Sequence, residues 1–170
     1  MIEYIVERSA NHAHLTEQDA LAIFGEACFL PNLTLKPLAI VGEYATNLKV
    51  VDVKGNSYTV VYPWRKSSQI EVAQSDYYKM FKTYTNRVDS GDIGGAKHVE
   101  VAGAGGLTLP VLVVRAHIHI DPSAGIISPD ELDFIFPLAM KVHETIDGVA
   151  RIHLDTDQYA AICGMPEYIS

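Results

Sequence analysis

The sequence predicts a mainly β protein, and three observations carry that prediction. Short runs rich in valine, isoleucine, threonine and tyrosine recur along the chain, separated by glycine, asparagine and serine. Helix-start signals are few, and the helices they open are brief. Apolar residues make up 48% of the 170, enough for a packed core. Many short strands with few helices argue for antiparallel barrels or a sandwich.

The alternating segment Ile2-Glu3-Tyr4-Ile5-Val6-Glu7 reads as an opening strand over residues 2–6. Thr16-Glu17-Gln18-Asp19 starts a helix, with the threonine hydroxyl as cap. Its apolar residues are Ala20, Leu21, Ile23 and Phe24, and Gly25 is expected at its end. Strands are expected at Leu38–Val41, Leu48–Val53 and Tyr58–Val61, the last two joined by a Lys54-Gly55-Asn56 turn. A second short helix is expected over Ser75–Phe81. The glycines at 91, 94 and 95, and those at 103, 105 and 106, mark turns, because no Gly-Lys-Ser/Thr follows to make a phosphate loop. Further strands are expected at Val99–Val101, Leu107–Leu109 and Val111–Ile120. Ser128-Pro129-Asp130-Glu131 opens a helix toward Phe136, with proline at its first position. Ala139–Val142 and Val149–Leu154 close the pattern as strands.

Composition excludes several functions. The net charge is -8, with no basic run, a poor basis for holding nucleic acid by counterion release. Cys28 and Cys163 form no CxxC pair, so neither a disulfide framework nor a thiolate zinc knuckle is indicated. The longest apolar runs fall short of the roughly 20 residues that cross a bilayer, and no signal-peptide pattern opens the chain. No Gly-x-Ser-x-Gly elbow offers an activated serine.

Histidine placement is the strongest chemical signal. Four of the seven histidines form two His-x-His pairs, His12 with His14 and His117 with His119. Residues i and i+2 of a strand face the same way, so each pair presents two imidazoles side by side as a claw for a metal such as zinc. His153 has apolar neighbours and could share a face with the pairs or serve as a hydrogen-bonded core histidine. Glu71 is either a further ligand or a solvated strand carboxylate. Arg65, beside Ser67 and Ser68, could hold an anion through its planar fork of donors or pack on Trp64. Each His-x-His pair stands before a capped helix, a weak echo of a duplicated unit.

Five motifs occur in an order that resembles the PduL-type phosphotransacylases, a family that exchanges coenzyme A and phosphate on short acyl groups. They are His12-Ala13-His14-Leu15-Thr16, Arg65-x3-Gln69-x-Glu71, Ser90-Gly91-Asp92-Ile93, His117-Ile118-His119 and His153-Leu154-Asp155-Thr156-Asp157. Together they span the chain from about Ile5 to about Ala161. The resemblance implies two small β-barrels capped by short helices, with the N-terminal strand joining the C-terminal barrel. Residues 1–10 with 115–170 would form one barrel and residues 11–114 the other. It also implies two zinc ions, one held by His12 and His14, the other by Glu71, His117, His119 and His153. Arg65 falls where the family binds phosphate, and acyl-CoA and phosphate are the implied partners.

The chain departs from that pattern in places. The family's usual arginine before the second His-x-His is Ala116 here, and Arg115 one residue earlier faces the opposite side of a strand. Tyr44-Ala45-Thr46-Asn47-Leu48 replaces a Phe-Ala-Ala-Glu-Glu stretch. A metal-dependent hydrolase of thioesters or acyl phosphates, and a non-catalytic metal or coenzyme A binder, are the alternatives. Strand onset at Ile2 leaves no room for a leader that addresses a shell compartment, so a cytoplasmic protein is expected, without membrane or nucleic-acid partners and with a homo-oligomer allowed.

Overall fold

The computed structural model describes residues 4–38, 42–120, 139–144 and 150–163. In chain order its elements are β1 (Tyr4–Arg8), β2 (His12–His14), α1 (Glu17–Phe24), β3 (Leu35–Pro37), β4 (Tyr44–Val51), β5 (Ser57–Tyr62), β6 (Gln69–Glu71), α2 (Gln74–Phe81), β7 (His98–Glu100), β8 (Thr108–Leu112), β9 (Ala116–Ile120), β10 (Ala139–Glu144), β11 (Ala150–Leu154) and α3 (Thr156–Cys163). The fold is mainly β with brief helices. The strand expected at 38–41 forms earlier, at β3, and residues 39–41 lie outside the described residues. So does the helix expected at 128–136. The single strand expected over 111–120 is two, β8 and β9, separated by Val113, Val114 and Arg115.

The chain divides into two compact units. One comprises Met1–Ala10, Ala73–Ser90 and Val113–Ser170; the other comprises Asn11–Val72 and Gly91–Leu112. The second holds a seven-stranded sheet in the order β3-β4-β5-β2-β6-β8-β7, and the first a four-stranded sheet in the order β1-β11-β9-β10. Both are mixed: β2 runs parallel to β5 and β6 to β8, as β1 does to β11 and β9 to β10. An antiparallel arrangement was the expectation, and alternation of side chains explains why it fails. Alternation says which residues face the core, not which way the neighbouring strand runs. The larger sheet is open among the described residues, with β3 and β7 at its edges.

Strand pairing in the seven-stranded sheet sets its two faces. Val60, Ala13, Ile70 and Val111 are register partners across β5, β2, β6 and β8, and all four are buried. Burying this row fixes the register, because a one-residue slip would turn it to the other face. The same register therefore delivers His12, His14, Gln69 and Glu71 together on the opposite face.

Helix ends follow local chemistry. The Thr16 hydroxyl accepts from Asp19 N at 3.1 Å, and Gly25 N donates to Leu21 O to end α1. At α3, Asp155 Oδ1 accepts from Gln158 N at 2.9 Å while Asp155 N donates to Gln158 Oε1 at 3.3 Å, a reciprocal capping box. In α2 the cap position is Ala73, which has no side-chain acceptor, and the carboxylate comes from elsewhere. Asp157 on α3 accepts from Ser75 N and Ser75 Oγ, both at 2.8 Å. No helix among the described residues is long and apolar enough to cross a membrane.

Candidate functional site

β2 and β6 run antiparallel, with His12 opposite Glu71 and His14 opposite Gln69. That register brings three donor atoms together. His12 Nε2 and His14 Nε2 lie 3.0 Å apart, and Glu71 Oε2 lies 2.8 Å from the first and 2.7 Å from the second. The two rings stand edge to face at 4.8 Å. Within the described residues these three side chains form the group of histidine and carboxylate donors able to hold a metal ion.

Donor atoms around a tetrahedral zinc sit about 3.3 Å apart, as follows from a bond length of about 2.0–2.1 Å to histidine nitrogen or carboxylate oxygen. Spreading the present triangle by a few tenths of an ångström admits the ion, so donor chemistry and spacing both fit. Among the described residues, His14 Nδ1 is buried with no hydrogen-bond partner. With Nε2 turned to the cluster, a proton on Nδ1 there lacks the acceptor that metal-bound histidines usually have.

Electrostatics favour the deprotonated forms a metal needs. Burial pushes the His14 imidazole below its ordinary value, against Glu71, which raises it; the charges of His12 and Arg65 add to the lowering. Burial alone would push the Glu71 carboxyl up. Attraction to His12 and the hydrogen bonds from His12 and His14 outweigh that, holding Glu71 well below the usual carboxylate range.

Arg65 lies in the loop leaving β5. Its backbone N donates to Leu15 O at 2.7 Å, next to His14, and its Nη2 lies 3.3 Å from Glu43 Oε1. The Glu43 contact was not anticipated, since nothing local in the sequence joins residues 22 apart. Gln69 also does more than its neighbours suggest. It is fully buried, and its Oε1 accepts from Gly91 N at 2.8 Å, tying the Ser90-Gly91-Asp92-Ile93 turn to the strand that carries Glu71. Gly91 has φ +91°, which a side chain rarely adopts.

In the four-stranded sheet, β11 runs antiparallel to β9, with His153 the register partner of His117 and Arg151 of His119. His153 is half-buried, and Ala116, at the start of β9, is fully buried. The structure thus brings Glu71 to His12 and His14, and sets His153 and His117 at one level of a second sheet.

A mainly β chain with two imidazole nitrogens and a carboxylate oxygen converging on one point has the makings of a metal-site protein. Comparison with known proteins narrows this. Residues 5–128 match the family model described as phosphate propanoyltransferase, and the chain belongs to that family. A phosphate propanoyltransferase of Thermotoga maritima is 28% identical over 175 residues, covering 91% of this chain and 81% of the relative. Those of Clostridioides difficile and Priestia megaterium are 31% and 33% identical, covering 69% and 67% of this chain and 58% and 54% of the relatives.

Proposed function

We propose that this chain is a phosphate acyltransferase that exchanges coenzyme A and phosphate on a short acyl group. One observation supports this above the others. In a member of the phosphate propanoyltransferase family, two imidazole nitrogens and a carboxylate oxygen on adjacent strands lie within 3.0 Å of one another. His12, His14 and Glu71 are the proposed ligands of one divalent ion, with zinc favoured by the donor set. His117, His119 and His153 are the proposed ligands of a second. The resemblance groups Glu71 with the second set; its distances to His12 and His14 favour the first, and we assign it there. The resemblance's two barrels and the cytoplasmic setting belong to the same proposal.

The ions, when bound, supply Lewis acidity and a soft acceptor for a thiolate. The remaining work falls to the chain. Arg65 holds the phosphate dianion through parallel N–H donors of its guanidinium. A phosphate oxygen attacks the thioester carbonyl carbon. The new C–O bond forms, the C–S bond breaks, and coenzyme A leaves as the thiolate with the bonding pair. Holding both reactants in one place supplies several kcal/mol of the acceleration, on the order of what oriented intramolecular reactions gain. No acyl-enzyme is required, in keeping with the absence of an activated nucleophile in the sequence.

Purified, metal-replete protein mixed with propanoyl-CoA tests this. Thiol release that depends on phosphate and yields propanoyl phosphate is the expected result. Release that ignores phosphate would make the chain a thioester hydrolase. No turnover, with metal bound, would leave a binding protein, the reading that Ala116 in place of the family's arginine keeps open.

A further inference from the structure

Arg65 is fastened at its main chain and at its side chain. The main-chain tether is the bond from Arg65 N to Leu15 O, and a second fastening follows three residues on. Ser68 Oγ accepts from Thr16 N at 2.9 Å and donates to Asp19 Oδ2 at 2.5 Å. The loop holding Arg65 is thereby sewn to the chain that leaves β2. These bonds place the Arg65 backbone but leave a long, rotatable side chain to be aimed.

Glu43 lies where that aim is set. It precedes β4, whose first residue, Tyr44, is the register partner of Tyr62 in β5. The rings of Tyr44 and Tyr62 are 6.4 Å apart, and those of Tyr62 and Trp64 meet edge to face at 5.3 Å. This aromatic row runs from the neighbour of Glu43 to the neighbour of Arg65. It fixes the start of β4 against the exit of β5, and Glu43 Oε1 then meets Arg65 Nη2 at 3.3 Å. Both side chains are partly exposed, at 24% and 33%. An ion pair in that setting adds little to fold stability.

We propose that Glu43 is a positioning residue for phosphate binding, acting through Arg65. This rests on the proposed role of Arg65 as phosphate anchor. Glu43 has two opposing effects. Its carboxylate orients the guanidinium before phosphate arrives, which saves ordering at the moment of binding. Its negative charge also repels a phosphate dianion. Orientation outweighs repulsion, because the phosphate bond to Arg65 is short-range and directional while the repulsion acts across water.

Two variants of the metal-loaded full chain separate these effects. Glu43→Ala removes acceptor and charge together, and should raise the phosphate KM about threefold to tenfold, the range that one ordinary hydrogen bond contributes. The acyl-CoA KM and the melting temperature should hold steady. Glu43→Gln keeps an acceptor oxygen and drops the charge, and should bring the phosphate KM to the wild-type value or below it. In an Arg65→Ala background, Glu43→Ala should raise the phosphate KM no further. A wild-type phosphate KM in Glu43→Ala, a raised one in Glu43→Gln, or an undiminished effect without Arg65 would each overturn the proposal. If Arg65→Ala itself leaves the phosphate KM unchanged, the anchor role falls and Glu43's role with it. A strong response to Arg65→Ala beside a silent Glu43→Ala removes Glu43 alone.

Discussion

The two His-x-His segments share a sequence pattern and differ in what their neighbours bring. β2 sits in the interior of the seven-stranded sheet, and β6 beside it supplies Glu71 opposite His12. β9 lies inside the four-stranded sheet, and β11 beside it supplies His153 opposite His117. The same two-residue spacing thus has a glutamate at the facing register position in one sheet and a histidine in the other. An anionic ligand offsets more of a divalent charge and holds its proton less tightly than an imidazole. The two segments are therefore expected to differ in affinity and in acid sensitivity although their sequences look alike.

Removing one claw tests the comparison most severely. His12→Ala with His14→Ala should abolish most turnover, by roughly a hundredfold or more if the ion stabilises the developing charge, and remove about half the bound metal by elemental analysis. A circular dichroism spectrum like that of the parent would show that the sheet survives. Unchanged metal content would mean that the pair is a hydrogen-bonded histidine cluster and no more.

Glu71 decides which segment owns the carboxylate. Glu71→Gln should lower metal content on its own, yet add no further loss to the His12→Ala, His14→Ala double variant. Metal losses that add would place Glu71 with His117, His119 and His153, as the resemblance has it. Arg65→Ala should raise the phosphate KM roughly tenfold to a hundredfold, the cost of about 1.5–3 kcal/mol for a charge-assisted contact, with a smaller change for the acyl-CoA. Lysine there should rescue poorly, since a point charge cannot reproduce the fork. Steady-state kinetics with phosphate varied gives the answer.

The smallest effect is a titration. In metal-free protein the His14 imidazole should ionise below the ordinary histidine value, because burial disfavours its charge. Glu71 opposes that shift, so Glu71→Gln should move the midpoint lower still. The sign matters for metal retention: a lowered value keeps His14 in its ligand form further into acid. A midpoint that rises in Glu71→Gln, followed by imidazole NMR, would mean that the carboxylate does not act on His14.

Both His-x-His pairs were legible because they need only a local spacing. The β4–β5 hairpin was legible from its turn, Lys54-Gly55-Asn56, though its first strand starts at Tyr44, four residues earlier than expected. Thr46 hid that start. It is a buried polar residue in a core position, and its hydroxyl is satisfied by donating to Val60 O at 2.7 Å. α3 has a capping signature in Asp155 and Gln158, but the same stretch, His153-Leu154-Asp155, also carries residues of ligand type, and its helix was not legible from the sequence. Neither the meeting of Glu71 with His12 nor that of Glu43 with Arg65 could be read in advance. Both depend on strand register, which is set by contacts far apart in sequence.

The capping of α2 by a carboxylate on α3 has a consequence in time. Asp157 belongs to the last described helix, and β11 just before it is the partner that β1 pairs with. The seven-stranded sheet, by contrast, draws every strand from residues 12–112. A ribosome therefore releases all of that sheet before the four-stranded one can begin to close, and β1 waits for its neighbour until β11 has been made. Long-range closure of this kind is slow. Pulse-labelled hydrogen exchange during refolding should protect the amides of β5 before those of β1, so a strand made before the seven-stranded sheet is secured after it.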